Sequence, residues 1–305
     1  MAVAVTKKKG KLGVQALIEE RFFYLFISPW VLGFIIFTVG PMIASIYYSF
    51  CLYDVLTPPK FVGLMNYGTL IKDELFWIGL RVTAIYSVGS VALGIVASMI
   101  IALVLNRNIR GVAFYRTLYY LPSVISGVAV GLLWMWIFNP DFGILNYILW
   151  ALFKIKGPQW IYAEKTALPS MILMSLWGIG GGIVIYLARL QSIPTELYEA
   201  AEIDGASSLR RIWNITIPLM TPVVFFNMIM GLIGAFQNFT SVYVMTGGGP
   251  HYATYMYVLY LYNSAFKDYR MGFASALAWV LFVILLLLTL FVFRTSNRWV
   301  YYEGG

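Results

Sequence analysis

From residue 22 to residue 50 the chain reads FFYLFISPWVLGFIIFTVGPMIASIYYSF and carries no charged side chain. A bilayer core about 30 Å thick takes roughly 20 residues of helix to cross. Inside it every backbone N–H and C=O must be paired within the segment, so a lone segment crosses only as a helix. Five further stretches meet that demand, at residues 76–106, 113–138, 166–190, 217–245 and 272–293. The sequence therefore predicts an all-α polytopic membrane protein with about six transmembrane helices. The overall balance agrees, because 61% of residues are hydrophobic and 11% charged, whereas soluble domains are roughly 45–50% apolar.

The cluster KKKGK from Lys7 could open a signal peptide. The apolar run behind it is too long and has no small-residue cleavage site, so it reads as a membrane span. Orientation follows from Lys and Arg, which cytoplasmic loops retain. With the N-terminus inside, that side holds Lys7, Lys8, Lys9, Lys11, Arg21, Arg107, Arg110, Arg116, Arg189, Arg210, Arg211, Arg294 and Arg298. The outside holds Lys60, Lys72, Arg81, Lys154, Lys156, Lys165, Lys267 and Arg270, the smaller share. The bias predicts residues 1–21 as a cytoplasmic N-terminal segment, 22–294 as one transmembrane domain and 295–305 as a cytoplasmic tail. The net charge of +8 is then a matter of orientation and anionic lipid, and no nucleic-acid partner is expected. Of the outer connections, 51–75, 139–165 and 246–271, the middle one contains FGILNYILWALFKIKG. That stretch is apolar but too short to span, and it predicts an interfacial helix.

The cytoplasmic loop at about 191–218 reads QSIPTELYEAAEIDGASSLRRIWNITIP. Ser192 as a cap, Pro194 in the first turn and Glu196 near the positive end of the dipole predict a helix from about residue 193. Gly205 would end it, and a second short helix would follow over 207–215. Ala200 and Ala201 allow a partner to approach closely, and Glu199, Glu202 and Asp204 put charge around that contact. Arg210 and Arg211 fall where the helix dipole disfavours cations, which points to a partner or anionic lipid. Spacing alone leaves a solvated connector and a docking element open. Leu197, Ile203, Leu209, Ile212 and Trp213 count against a purely solvated loop.

No G-x-x-x-x-G-K-[ST] occurs, so the chain has no phosphate-cradling loop of its own. The six stretches hold no Asp or Glu, which weighs against proton-coupled transport. One histidine, His251, and one cysteine, Cys51, make neither a metal site nor a catalytic constellation, so no catalytic and no metal-binding residue is expected. Polar groups deep in a span face an interface or a water-filled path. The fifth stretch offers Asn227, Gln237, Asn238, Thr240 and Ser241, whose amides and hydroxyls suit a sugar, beside Phe236, Phe239 and Tyr243 as stacking faces. Helix-to-helix pinning is the competing reading. The sequence WGIGGG from Trp177 to Gly182 is open to close packing or a substrate role.

ELYEAAEIDGASSLRRIWNITIPLMTP resembles the EAA loop of membrane subunits of binding-protein-dependent ABC importers, with Glu199, Ala200, Ala201, Asp204, Gly205, Ala206, Ile215 and Pro218 in the pattern. Ile212 stands where sugar-type members commonly carry phenylalanine, and Ile217 replaces the usual leucine. SPWVLGFIIFTVGPMIASIYYSF, FYRTLYYLPSVISGVAVGLLWMWIFNPDFGILN and VYVMTGGGP resemble the carbohydrate-type branch, in particular its maltose-type first permease subunit.

The resemblance implies a type I ABC importer permease fold in a prokaryotic cytoplasmic membrane. It also implies a second permease subunit as heterodimer partner, an extracytoplasmic substrate-binding protein, and two ATP-binding subunits that use ATP and Mg, with no cofactor on this chain. It places ATPase coupling on Glu196, Glu199, Ala200, Ala201, Asp204 and Gly205. Trp177, Gly178, Gly181, Gln237 and Asn238 become candidates for the substrate path. The outer turn TGGGP, Thr246 to Pro250, becomes a tight turn or a rim that meets the binding protein. A sugar or oligosaccharide is the implied substrate, with glycerol-phosphate or a polyol derivative, or an ATP-independent facilitator, as alternatives.

Overall fold

A computed structural model describes residues 14–107 and 110–301. Lys7, Lys8, Lys9 and Lys11 of the expected N-terminal segment, and the last four residues of the expected tail, lie outside the described residues. Helices dominate, and the strands described are a short antiparallel pair in the 51–64 connection, with Cys51 opposite Phe61 and Leu52 opposite Lys60.

Among the described residues four helices are long and apolar enough to cross a membrane: Arg21–Ser49, Glu74–Leu105, Ser208–Phe236 and Met271–Ser296. Two bent pairs complete a set of six, Val112–Val124 with Gly127–Ile137 and Glu164–Gly178 with Gly180–Gln191. We call these the first to sixth spans in chain order. The expected unbroken third and fourth spans are therefore corrected to bent ones.

The third span turns by 103°. Pro122 starts a short 3-10 turn, Leu121–Val124, and Ile125 (ψ 140°) and Ser126 (ψ 134°) are then both extended before the helix resumes at Gly127. The fourth span bends by 49° between Gly178 and Gly180. Gly180 is buried where the backbone of Tyr119 and Tyr120 crosses it, so close that a Cβ would collide with the Tyr119 carbonyl oxygen. Only glycine lets the bent third span lie against the fourth there.

The apolar core has two main parts. One, at the end of the spans away from the 191–207 loop, gathers Phe76, Val82, Tyr86, Met171, Tyr257, Leu277 and their neighbours. The other, toward the 191–207 loop, gathers Ala102, Leu105, Ile183, Tyr186, Leu187, Leu190, Leu219 and Met220. The 246–257 connection folds back into the first of these. The Tyr257 amide donates to Thr83 Oγ1 (2.8 Å), its hydroxyl to the Leu277 carbonyl (2.8 Å), and the Tyr260 hydroxyl to Asp73 Oδ2 (2.6 Å). Ile144–Phe153 forms a ten-residue apolar helix with no buried residue, where the interfacial helix was expected.

The first span is peripheral, and of its described residues Ser49 alone, at its end, is buried. Its C-terminal end is held by the sixth span: Trp279 Nε1 donates to Ser45 Oγ (3.1 Å) and the Gly272 amide to the Tyr53 carbonyl (3.0 Å).

Candidate functional site

Where the second, fourth and fifth spans meet, between the two core regions, lies a cavity of 430 Å³. Each of the three helices turns a four-residue repeat of small or polar side chains toward it. The second supplies Ser90, Gly94 and Ser98, the fourth Gly178, Gly182 and Tyr186, and the fifth Asn227, Gly231 and Ala235. A spacing of four keeps residues on one helical face, so the repeat is the local reason a hollow exists among otherwise large apolar side chains. Gly182 brings the fourth span so near the second that a Cβ would stand 3.2 Å from Ser98 Oγ.

The wall carries hydroxyls and amides and no acid, ammonium, guanidinium or imidazole. Its polar groups differ in how far they are committed. Asn227 Nδ2 donates to the Val223 carbonyl (3.0 Å), and Ser175 Oγ to the Ile172 carbonyl (2.6 Å). Ser98 Oγ makes no hydrogen bond among the described residues, and Tyr186 Oη lies beside the Asn227 amide without a bond of normal geometry. An unpaired hydroxyl in a low-dielectric wall is costly, and a bound hydroxyl or amide would relieve that cost. Such a wall can hold an uncharged polyhydroxylated ligand by hydrogen bonds; it has no group to shuttle a proton near neutral pH.

Of the residues singled out in the sequence, Gly178, Asn227 and Asn238 line this cavity, whereas Trp177, Gly181 and Gln237 do not. Trp177 packs edge-on to Trp134, at 6.1 Å between ring centroids, on the side facing the third span. A Cβ on Gly181 would meet open space. Asn238 and Gln237 are not in mid-helix as expected. The fifth span ends at Phe236, both amides occupy the break, and a new helix starts at Thr240. Asn238 Oδ1 accepts from Ser241 Oγ (2.7 Å) and its Nδ2 donates to Met256 Sδ (3.8 Å). Gln237 is exposed. Phe236 is buried in the core, and Phe239 and Tyr243 stack on each other at 5.0 Å, so these rings do not face the cavity. Tyr86, Ser90, Ser98, Ser175 and Tyr186 were missed; the signal available was the Ser90–Gly94–Ser98 spacing.

At the far end of the fourth and fifth spans lies the 191–207 loop. Ser192 does not cap the following helix. Its Oγ donates back to the Arg189 carbonyl (2.8 Å), and the next helix, Thr195–Ile203, has Pro194 at its cap with no side-chain bond. That helix ends on Gly205 at φ +74°, with the Gly205 amide donating to Glu202 O (3.0 Å) and the Ala206 amide to Ala201 O (2.8 Å). This paired closure needs a left-handed residue at Gly205.

The second loop helix is not separate either. Ser207 Oγ accepts from the Arg210 amide, and the helix from Ser208 runs through a five-residue π turn, Ile212–Thr216, straight into the fifth span. Arg211 has a local role after all, since its Nη1 donates to Glu202 Oε2 at 2.8 Å. Tyr198 Oη and Thr216 Oγ1 share a bond of 2.9 Å. Glu196, Glu199, Ala200, Asp204 and Gly205 are exposed and Ala201 is half-buried. Around them stand Ile203 at 88% exposure, Leu209 at 65% and Trp213 at 62%.

Comparison with known proteins places these features among transporters. Residues 94–299 match the family described as binding-protein-dependent transport system inner membrane component. The chain is 44% identical over 285 residues to the probable ABC transporter permease protein YesP of Bacillus subtilis (strain 168), covering 92% of each chain. It is 34% identical over 284 residues to the sn-glycerol-3-phosphate transport system permease protein UgpA of Agrobacterium fabrum, covering 92% of this chain and 96% of that one. In structure it is similar, with a TM-score of 0.82 and 25% identity over 93% of this chain and 98% of the other, to a bacterial ABC transporter involved in the import of the acidic polysaccharide alginate.

Proposed function

The chain belongs to the family of binding-protein-dependent transport system inner membrane components, and from that premise we propose that it forms half of the pathway of an ATP-driven importer for sugars or oligosaccharides. It is a multi-pass membrane permease. In this reading a second permease subunit supplies the other half, an extracytoplasmic binding protein delivers substrate, and two partner subunits bind and hydrolyse ATP with Mg. The termini and the 191–207 loop face the cytoplasm.

One observation carries the proposal: both helices that hold the 191–207 loop end, at their other extremity, in breaks that line one cavity. The fourth span leads from the bend at Gly178 to Gln191, and the fifth leads from Ser208 to the break at Asn238. The second of these rods has 29 residues, or about 43 Å at 1.5 Å per residue. A push on Thr195–Ile203 therefore reaches the cavity through two continuous helices. Glu196, Glu199, Ala200, Ala201, Asp204 and Gly205 form the part that an ATPase would grip. Closure of the ATPases would move the rods together, and the bends at Gly178 and Asn238 would absorb the change in angle as the cavity opens to one side and then the other.

An uncharged wall of hydroxyls and amides favours a neutral saccharide over glycerol-phosphate, which would need a cation that this cavity does not offer. The exposed Ile203, Leu209 and Trp213 around acidic groups argue against an ATP-independent facilitator, whose loops need no partner.

The test is to purify the chain with its bound partners from its native membrane, identify them, and measure ATP-dependent uptake in vesicles with the binding protein added. Uptake of labelled oligosaccharide that stops without ATP is expected. Uptake of glycerol-phosphate but not of sugars would overturn the substrate class, and uptake without ATP would overturn the coupling.

A further inference from the structure

On the opposite face of the fourth span from the cavity, toward its loop end, lies a narrow slot of 230 Å³ between the third and fourth spans. Its sides are Ile183, Val184 and Leu187, its floor is the tight crossing of Tyr119–Tyr120 over Gly180, and its mouth carries Arg116 and Gln191. Arg116 lies one turn into the third span, and Gln191 is the last residue of the fourth. Both therefore sit at the level where the spans leave the hydrocarbon.

Arg116 is half-buried and poorly satisfied. A guanidinium has five N–H donors; among the described residues the bond it makes is one from Nη2 to the Leu105 carbonyl at 3.4 Å, and its Nε is closed off from solvent with no partner. No carboxylate lies on the slot wall, and Arg107 and Arg110 stand in the turn just before the third span. Positive charge at the mouth of an apolar slot between spans calls for an anion with a hydrocarbon tail. Basic pockets between transmembrane helices at the cytoplasmic side take lipid headgroups in this way, and the guanidinium fork matches phosphate oxygens in pairs.

We propose that the slot binds one anionic phospholipid, its phosphate on Arg116 and Gln191 and an acyl chain along Ile183, Val184 and Leu187. The lipid would fill the angle that the bent third span leaves beside the fourth, next to the rod that runs from Gly178 to the loop. It is independent of the substrate reading.

The experiment uses the full chain, alone and with co-purified partners, in nanodiscs of phosphatidylcholine or of an equal mixture with phosphatidylglycerol. Native mass spectrometry then counts lipids retained after release into detergent, and a thermal melt is recorded for each sample. The wild type is expected to retain phosphatidylglycerol selectively and to melt higher in its presence. Arg116→Gln and Gln191→Leu lose the selective lipid mass and the shift, and Arg116→Lys keeps part of both. Because Arg116 also meets the Leu105 carbonyl, Gln191→Leu and the slot-filling Val184→Trp keep the test sound if Arg116→Gln folds poorly. Equal retention of the two lipids by the wild type overturns the proposal, as does undiminished selectivity in Gln191→Leu and Val184→Trp. Stabilisation of the detergent-solubilised chain by inorganic phosphate to the same degree would assign the site to a free anion instead. Selective lipid on the lone chain but none in the assembled transporter would assign the slot to a partner subunit.

Discussion

Tyr198 and Thr216 share a 2.9 Å hydrogen bond that joins the first helix of the 191–207 loop to the root of the fifth span. Thr216 is buried and Tyr198 only partly so, which makes the bond a shielded tie between the loop helix and the span that follows it. Tyr198→Phe removes the tie and leaves Thr216 Oγ1 without it, a cost of about 1–3 kcal/mol for an unsatisfied buried group. Hydrogen exchange of the Thr195–Ile203 amides is expected to speed up, and ATP-driven uptake to fall, while membrane insertion stays normal. Unchanged exchange in that helix would show that the tie carries no load. The double variant with Thr216→Val should restore part of the protection.

Gly205 supplies a second, purely conformational test. A Cβ there meets nothing within 4 Å, yet φ is +74°, so any penalty comes from the backbone alone. A branched residue in that region costs roughly 1–2 kcal/mol, and Asn is tolerated better than other non-glycine residues. Gly205→Val should insert normally and lose ATP hydrolysis coupled to substrate, whereas Gly205→Asn should keep most of it. Equal coupled rates in both variants would mean that the turn's aim does not matter.

The two amides of the fifth-span break should separate. Asn238→Leu removes the acceptor for Ser241 Oγ and a polar wall group of the cavity, and a loss of about 1–3 kcal/mol lowers substrate affinity about five- to 150-fold. Gln237 is exposed and off the wall, so Gln237→Leu should stay within about twofold, as surface changes commonly do. Concentration-dependent uptake by both variants decides it, and a larger loss in Gln237→Leu would move the path to the other side of the break.

Orientation rests on the placement of Lys and Arg. With Cys51 replaced by Ser, a cysteine introduced by Ser207→Cys should react with an impermeant thiol reagent in inverted vesicles and not in intact cells. Labelling from outside in intact cells would reverse the topology.

The six apolar stretches were legible because a bilayer imposes a length and a composition that few other contexts share. Their interruptions were not. In hydrocarbon a helix and a break carry equally apolar side chains, so periodicity is silent. Pro122 marked the third-span bend, but a proline alone does not foretell two extended residues after it. At Gln237–Phe239 no Gly or Pro announces the break, and the amides there read as mid-span polar groups. Gly205 as a stop was legible because only its backbone freedom mattered. The cavity was half legible: Gly178, Asn227 and Asn238 were within reach, while the hydroxyls of Ser90, Ser98 and Tyr186 belong to it only because three helices with matching four-residue repeats meet. The continuity of Ser208–Phe236 was hidden for a related reason, since Pro218 near the start of the fifth span invites a boundary that the π turn at Ile212–Thr216 instead carries through.

The clasp between Ser45 and Trp279 sets a schedule for biosynthesis. The two residues lie 234 positions apart, and a ribosome adding about 5–20 residues per second needs on the order of tens of seconds to make the second after the first. Through that interval the peripheral first span sits in the membrane without the helix that will hold it, exposed to whatever insertion or quality-control factors attend a nascent chain. A chain released before Trp279 would hold the end of that span only through the bonds of Asn66 and Tyr67 to Ser49, so completion of the last span adds the fastening that the early helices cannot supply.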